Sequence, residues 1–280
     1  MKRVGLLLLL ACHMMPLAAE PKQTLSAVTL EYPPFSYTHK KSGQVIGASP
    51  DLLKLIFNEL GYELNIKSLP WKRSQQMIEQ GKAHIIFTYT RSHQRQDAAY
   101  YSNPISTLST VFIKNIHSKV PSSWAQLSDL KHYSLGINGG YNYPPIFMQA
   151  LKDNLFTKLK PVVSKYPTDA NLRKILTNRI DYFICSADCS HSINKLPKEE
   201  QGRIKKINQI IGGERTLHVG FVKHHTNWKE AKKVRDDFNV VFEQVLNKGK
   251  VKVIYDKYNI VTNYKIIGSK LNINWDTTLD

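Results

Sequence analysis

Residues 88–95 of this chain combine hydroxyl groups with guanidinium groups over one short stretch. The sequence there is Thr-Tyr-Thr-Arg-Ser-His-Gln-Arg, so Arg91 and Arg95 stand within a few positions of several side-chain hydroxyls. A guanidinium group is suited to a carboxylate because its planar fork forms two parallel, charge-assisted hydrogen bonds. The segment therefore indicates a site for a small molecule that carries a carboxylate.

A second segment, residues 138–143, places glycines among tyrosines and asparagines (Asn-Gly-Gly-Tyr-Asn-Tyr). Gly140 and its neighbour free backbone N–H groups for close approach, and a helix is expected to begin at Pro144-Pro145, where exposed amides favour anions. The alternative is an ordinary strand-to-helix turn with Tyr141 on the surface. Further along, Asp188 follows a predicted strand and is either the partner of a ligand ammonium group or a solvated loop acid.

Aromatic residues accompany these polar segments. Residues 31–37 read Glu-Tyr-Pro-Pro-Phe-Ser-Tyr, and the two prolines stiffen the loop that presents Tyr32 and Phe35. Trp71 stands at the expected start of a helix. It either faces the same region or packs in the core.

These residues are positioned by a series of strands and helices that occurs twice in the chain. Residues 25–87 read strand, helix, strand, helix, strand, and residues 133–185 read the same way. In both halves the polar and aromatic segments follow the first and third strands, where open α/β sheets bind ligands. The pattern predicts two α/β lobes facing a cleft, each a sheet flanked by helices. The stretches Thr107–Lys114 and Leu217–Val222 are predicted to cross between the lobes, and residues 227–246 to form a helix of the first lobe.

The predicted domains follow from this pattern. Residues 1–19 form a signal peptide, residues 20–112 and 215–260 the first lobe, residues 113–214 the second lobe, and residues 261–280 a tail. The signal combines a basic start, an apolar run at Val4–Ala11 and a small-residue cleavage site at Ala19. The alternative is a lipoprotein signal that retains a lipidated Cys12. In either case the protein is expected in the periplasm.

Composition narrows the possible partners. The formal net charge is +17, but the lysines are scattered over predicted helix surfaces and no nucleic-acid-binding motif accompanies them, so no nucleic-acid partner is expected. Cys185 and Cys189 either form a disulfide across a bent loop or, with Asp188 and His191, a metal cluster. Neither a metal nor a cofactor is predicted.

The chain resembles the periplasmic solute-binding proteins of the type 2 fold, family 3, which bind polar amino acids for ABC importers. The resemblance runs along almost all of the mature chain and rests on these segments: 31–35, 47–53, 60–62, 70–73, 81, 92–95, 101–105, 127–130, 179–181, 219–223 and 249–258. It implies that Arg95, seven residues before Ser102, binds a ligand carboxylate and that Ser92 donates a hydroxyl. It also implies that Tyr32, Phe35 and Trp71 form aromatic walls.

Three positions depart from the family pattern. His84 stands where an aspartate is usual, Tyr141 follows Gly140 where a threonine or serine is usual, and Ser186 replaces the acid that would bind an amine. Asp188 could substitute for that acid if the loop is shifted. These departures favour a carboxylate or another small polar ligand.

The expected function is capture of one small polar ligand, an amino acid or a related carboxylate, by a monomer. The partner is expected to be either an ABC permease or a membrane sensor. The alternative is a periplasmic enzyme on the same scaffold, similar to cyclohexadienyl dehydratase. His84, His93 and Glu31 are its candidate acids and bases, but no catalytic motif supports it, and a non-enzyme is predicted.

Overall fold

The computed structural model describes residues 22–186, 188–207, 209–265 and 267–268, except for the side chains of His93, Gln94 and Asp188. The predicted signal peptide, the alternative lipidation site Cys12 and residues 269–280 of the predicted tail lie outside these ranges. None of the described helices combines the length and the hydropathy that a membrane span requires.

Strands and helices alternate along most of the described chain. The strands are β1 (Gln23–Thr29), β2 (Tyr37–Thr38), β3 (Val45–Ile46), β4 (Tyr62–Ser68), β5 (Ile85–Tyr89), β6 (Ala99–Tyr101), β7 (Ser106–Leu108), β8 (Val111–Asn115), β9 (Leu135–Asn138), β10 (Leu159–Val162), β11 (Tyr182–Cys185), β12 (Ile204–Ile207) and β13 (Arg215–Val222). The helices are α1 (Ala48–Glu59), α2 (Trp71–Glu79), α3 (His93–Gln96), α4 (Pro145–Lys152), α5 (Pro167–Leu176), α6 (Asp188–Asn194), α7 (Lys198–Gly202), α8 (Ala231–Asn247) and α9 (Lys250–Lys257), and a 3-10 turn covers Leu127–Leu130.

Two mixed sheets form the two lobes. The first sheet has the order β4-β1-β5-β13-β6, with β7 also paired to β13, and the second has the order β10-β9-β11-β8-β12. The repeated strand-helix units supply the parallel pairs of β1 with β4 and β5, and of β9 with β10 and β11. Strands β8, β12 and β13 add antiparallel pairs. The predicted two-lobe α/β fold with flanking helices is therefore confirmed.

Neither of the two predicted stretches crosses between the sheets along its whole length. Leu217–Val222 lies within β13, which pairs with β5, β6 and β7 of the first sheet, so this stretch does not cross. The stretch Thr107–Lys114 is not one strand: β7 pairs with β13 in the first sheet, and β8 pairs with β11 and β12 in the second. The crossing itself is the short link Ser109–Thr110, because each neighbouring strand already hydrogen-bonds within its own sheet. The exact lobe boundaries remain a prediction.

Each lobe has its own aromatic core. In the first lobe the rings of Phe57, Phe221 and Phe238 lie 5.5–6.2 Å apart and join α1, β13 and α8. In the second lobe Phe112 packs against Phe147 and Tyr182 at 6.0 and 5.1 Å. Burial of such side chains contributes roughly 1.5–3 kcal/mol each, which makes each lobe a firm support for the loops at its edge.

The sequence Ser49-Pro50-Asp51 predicts an N-cap at Ser49 and a helix that begins at Pro50. This prediction was wrong, because α1 begins two residues earlier, at Ala48. Gly47 is the N-cap residue, and no side chain caps the helix. The backbone N–H groups of Ala48 and Ser49 instead donate to the carbonyls of Pro34 and Phe35, at 3.2 and 2.9 Å. The loop that carries the predicted aromatic walls thus satisfies amides that a serine side chain would otherwise bind.

Candidate functional site

A cavity lies between the two lobes, where strands of both sheets end. The first lobe contributes Leu30, Tyr32, Trp71, Thr88, Thr90, Arg95, Leu108, Arg215 and Leu217, and the second contributes Tyr141, Asn142, Tyr143 and Ser186. The segments that follow β1, β5, β9 and β11 therefore meet at this point.

Arg95, in helix α3, is buried in this cavity with only 7% of its surface exposed. Its Nη1 donates to the carbonyl oxygen and the hydroxyl of Thr90, at 3.1 and 2.7 Å, and its Nη2 to the carbonyl of Gly140 across the cleft, at 3.5 Å. The guanidinium carbon lies 4.9 Å from the Tyr89 ring centre and 5.4 Å from that of Trp71. Burial lowers the pKa of Arg95, and no ion pair among the described residues includes it.

Thr88 owes its place in the cavity wall to an irregularity in β5. The pairing with β13 shifts at this point, so that Val219 pairs with Phe87 and His218 with Tyr89. Thr88 has a φ of +58°, which is costly for a β-branched residue and is typical of functional sites. Its hydroxyl lies 3.1 and 3.2 Å from those of Thr29 and Ser36, so a buried network of hydroxyls supports it.

Aromatic rings form much of the wall. Trp71 begins α2 and packs edge-on against Tyr89, with ring centres 5.8 Å apart. Tyr32 of the first lobe meets Tyr141 of the second at 6.2 Å. These rings give the cavity apolar surfaces beside its two guanidinium groups.

Arg215, at the start of β13, is the second cation of the cavity. Its Nη1 donates to the carbonyl of Asn142 in the second lobe at 2.5 Å, and its Nη2 to the hydroxyl of Thr110 at 3.3 Å. Its Nε is buried and has no hydrogen-bond partner. Burial, with a smaller contribution from the charge of Arg95, lowers the pKa of Arg215 to about 10, so the side chain is cationic at neutral pH.

The second lobe closes the cavity with two polar loops. Asn142 donates through Nδ2 to the Thr90 hydroxyl and the Arg91 carbonyl, at 3.3 and 3.1 Å, which links the lobes directly. Ser186 lies between Cys185 and Cys189, which are joined in a disulfide. The disulfide is one of the two predicted arrangements of this cysteine pair. The other, a metal cluster, includes Asp188, whose side chain is outside the described part.

The structure brings together four of the predicted ligand-binding residues: Tyr32, Trp71, Arg95 and Tyr141 all line the cavity. Gly140 takes part through its carbonyl. Phe35 lies behind Tyr32 in the core, with ring centres 6.0 Å apart. Ser92 precedes α3 and does not line the cavity. Asp188 begins α6, and its side chain is outside the described part.

Sequence reasoning missed Arg215, Asn142 and the hydroxyls of Thr88 and Thr90 as individual cavity residues. Thr88 and Thr90 lay inside the polar segment that drew attention to Arg95. Arg215 carried a weaker signal: it is a cation two residues before the stretch predicted to cross between the lobes.

Two of the candidate acids and bases for an enzyme lie away from the cavity. His84 stacks on His225, with ring centres 3.7 Å apart, and its Nδ1 lies 2.8 Å from the Ser26 hydroxyl. Glu31 accepts hydrogen bonds from Thr38 and Ser68 and pairs with Lys165. The side chain of His93 is outside the described part.

The arrangement agrees with a known family. The family model of the bacterial extracellular solute-binding proteins, family 3, matches residues 25–261. The chain belongs to this family. This match confirms the predicted resemblance to the solute-binding proteins of family 3.

Solved structures show the same fold at low identity. An ancestral arginine-binding protein bound to arginine has a TM-score of 0.70 and 18% identity, covering 85% of this chain and 98% of that one. A histidine kinase sensor domain with similarity to periplasmic binding proteins has a TM-score of 0.71 and 13% identity, covering 85% and 96%. An ancestral amino acid-binding protein, a precursor of cyclohexadienyl dehydratase, has a TM-score of 0.66 and 19% identity, covering 84% and 95%. A comparison with curated proteins gives no match.

Proposed function

We propose that this protein captures one small carboxylate-containing ligand in the cavity between its lobes, and that Arg95 binds the carboxylate. The observation that carries the proposal is a buried guanidinium group without an acidic partner among the described residues. A buried cation is unfavourable unless an anion pairs with it. A ligand carboxylate would supply that charge.

The surroundings of Arg95 suit this role. Thr90 holds one side of the guanidinium group, and the rings of Tyr89 and Trp71 lie against it. The side chain is therefore fixed before the ligand arrives, which lowers the entropy that binding would cost. Nearby hydroxyls of Thr88 and Ser186 could donate to the remaining carboxylate lone pairs.

The ligand-bound protein would then bind a partner protein in the membrane. Family membership and the apparent signal peptide support capture in the periplasm, and the family resemblance supports an ABC permease or a membrane sensor as the partner of a monomeric binding protein. Ligand binding would favour the closed arrangement of the lobes, which the partner would then recognise.

The test is Arg95→Ala in the mature protein, compared with Arg203→Ala. Arg203 also donates to a backbone carbonyl, that of Leu176 at 2.7 Å, but it lies outside the cavity. A thermal-shift screen against small carboxylates and amino acids identifies a ligand, and calorimetry then measures its affinity. Arg95→Ala should abolish binding with little change in melting temperature, whereas Arg203→Ala should bind normally. Retained binding by Arg95→Ala would overturn the proposal, and a large loss of stability would make Arg95 structural.

A further inference from the structure

The cavity has an unusual charge balance. Both Arg95 and Arg215 line it, and no carboxylate does so among the described side chains. One guanidinium group matches one carboxylate, so the second cation needs its own explanation. Two like charges that face one small space repel each other, and the charge of Arg95 indeed contributes to the lowered pKa of Arg215.

A purely structural role does not account for Arg215. Its two contacts are with neutral oxygens, the carbonyl of Asn142 and the hydroxyl of Thr110. A neutral donor could make these contacts without placing a second positive charge beside Arg95. Its Nε–H remains buried without an acceptor, and buried donors without partners are rare in folded proteins.

The same cavity offers little to a ligand ammonium group. Ser186 contributes a hydroxyl, and the other described polar side chains of the lining carry hydroxyls, an amide, an indole N–H and the two guanidinium groups. An ammonium group placed here would meet two cations and no described anion. Its desolvation would therefore go uncompensated.

We infer that the ligand carries two anionic groups and no ammonium group, and that Arg95 and Arg215 each bind one of them. A short dicarboxylate matches this charge pattern, because it brings one anionic group for each guanidinium group. The inference rests on the proposed function, since it assigns the ligand class of the same site. It makes Arg215 the residue that determines specificity, whereas Arg95 serves every carboxylate.

Three five-carbon acids can test whether Arg95 binds one carboxylate and Arg215 a second. Glutarate has two carboxylates, valerate has one, and glutamate has two carboxylates and an ammonium group. Isothermal titration of the mature protein should give glutarate an affinity at least 10-fold higher than that of either other acid, because only glutarate supplies an anion to each guanidinium group without an ammonium group.

Substitutions at the two arginines then assign each role. Arg215→Gln should weaken glutarate binding about 10- to 100-fold, to the level of valerate, and leave valerate binding within about 3-fold. Arg215→Lys should retain part of the preference for glutarate. Arg95→Gln should lose both acids, and Arg203→Gln, a partly buried arginine outside the cavity, should change neither. Circular dichroism melting confirms that each variant folds.

Some outcomes would overturn the inference alone, and others would overturn the proposed function as well. Equal affinity for glutarate and valerate, or an equal loss of both on Arg215→Gln, would make Arg215 a structural contact between the lobes. Tighter binding of glutamate, abolished by Asp188→Asn, would show that an ammonium group has its partner after all. If the wild-type protein bound no carboxylate, or if Arg95→Gln bound all of them normally, the proposed function itself would fail.

Discussion

His218 is a buried histidine whose two ring nitrogens are both occupied. Its Nδ1 lies 2.8 Å from the carbonyl oxygen of Ser102, and its Nε2 lies 2.9 Å from the hydroxyl of Thr216. The carbonyl can only accept, so Nδ1 carries the proton and Nε2 accepts from Thr216. Burial is the main cause that lowers the pKa of His218 to about 4. The hydrogen bond to the Ser102 carbonyl partly opposes this shift, and the charge of Arg91 adds to it.

This histidine should make stability depend on pH. Between pH 6.5 and about 4, the unfolded chain binds a proton at His218 and the folded protein does not, so the free energy of unfolding decreases as pH falls. The slope is roughly 1 kcal/mol per pH unit for one proton. Urea unfolding at pH 7, 6 and 5 should show this loss, and His218→Gln should reduce the slope by about that amount. Identical slopes for the two proteins would mean that His218 titrates alike in both states.

Arg95 and Arg215 show which site residues a sequence can reveal. Arg95 belongs to a local segment of hydroxyls and guanidinium groups, and its chemistry could be inferred without knowing the fold. Arg215 reaches the cavity only because β13 returns to the first sheet and its side chain touches Asn142, which is 73 positions away in the chain. A contact between residues so far apart in the chain cannot be predicted from the local sequence.

At the scale of elements, the N-terminus of α1 controls the loop that carries Tyr32. Gly47 has a φ of +127°, and a Cβ atom there would lie 2.5 Å from the carbonyl oxygen of Phe35. Gly61, just beyond the other end of the helix, has a φ of +83° but no atom within 4 Å of its Cβ position. Both glycines have a positive φ, but a Cβ atom would be crowded only at Gly47.

This difference predicts unequal costs for two alanine substitutions. Gly61→Ala should lower the free energy of unfolding by about 1–2 kcal/mol, the cost of a left-handed conformation alone. Gly47→Ala should cost at least about 1 kcal/mol more, because the loop backbone must shift as well. It should also weaken ligand binding, since that shift moves Tyr32. Chemical denaturation and calorimetry measure both effects, and equal costs at the two positions would refute the crowding argument.

Element types were predictable from sequence, and their ends were less so. The buried stripe of α1, including Leu52, Leu53 and Ile56, follows from helical periodicity and is fully buried. The irregularity at Thr88 and the split of Thr107–Lys114 into β7 and β8 depend on which strand lies alongside. Hydrogen-bond partners from distant parts of the chain decide those details.

At the scale of the whole molecule, a small number of side chains hold the lobes together outside the cavity. Lys165 of the second lobe lies 3.6 Å from Glu31 of the first, and the ring of His191 packs against Tyr37 at 5.2 Å. The two-lobe plan was predictable because its repeated elements are local. These bridging contacts were not, because each joins residues more than 130 positions apart in the chain.

The Lys165–Glu31 pair should stabilise the closed arrangement. Glu31 keeps hydrogen bonds from Thr38 and Ser68 within its own lobe, so Lys165→Gln leaves that carboxylate held. The substitution removes the contact between lobes and the contact of the Lys165 ammonium group with the Tyr166 ring. A partly exposed ion pair contributes at most about 1 kcal/mol, and ligand affinity should therefore fall by about 2- to 5-fold. The order of preference among ligands should not change, because Lys165 does not line the cavity between the two arginines.

A matched control and a second observable make this prediction specific. Lys233 pairs with Asp237 at 2.7 Å within α8, so Lys233→Gln removes an ion pair inside one lobe and should leave affinity unchanged. Small-angle X-ray scattering should show a larger radius of gyration for ligand-free Lys165→Gln than for the wild type. An unchanged affinity together with an unchanged radius would mean that closure is governed by the cavity contacts of Arg95, Asn142 and Arg215 alone.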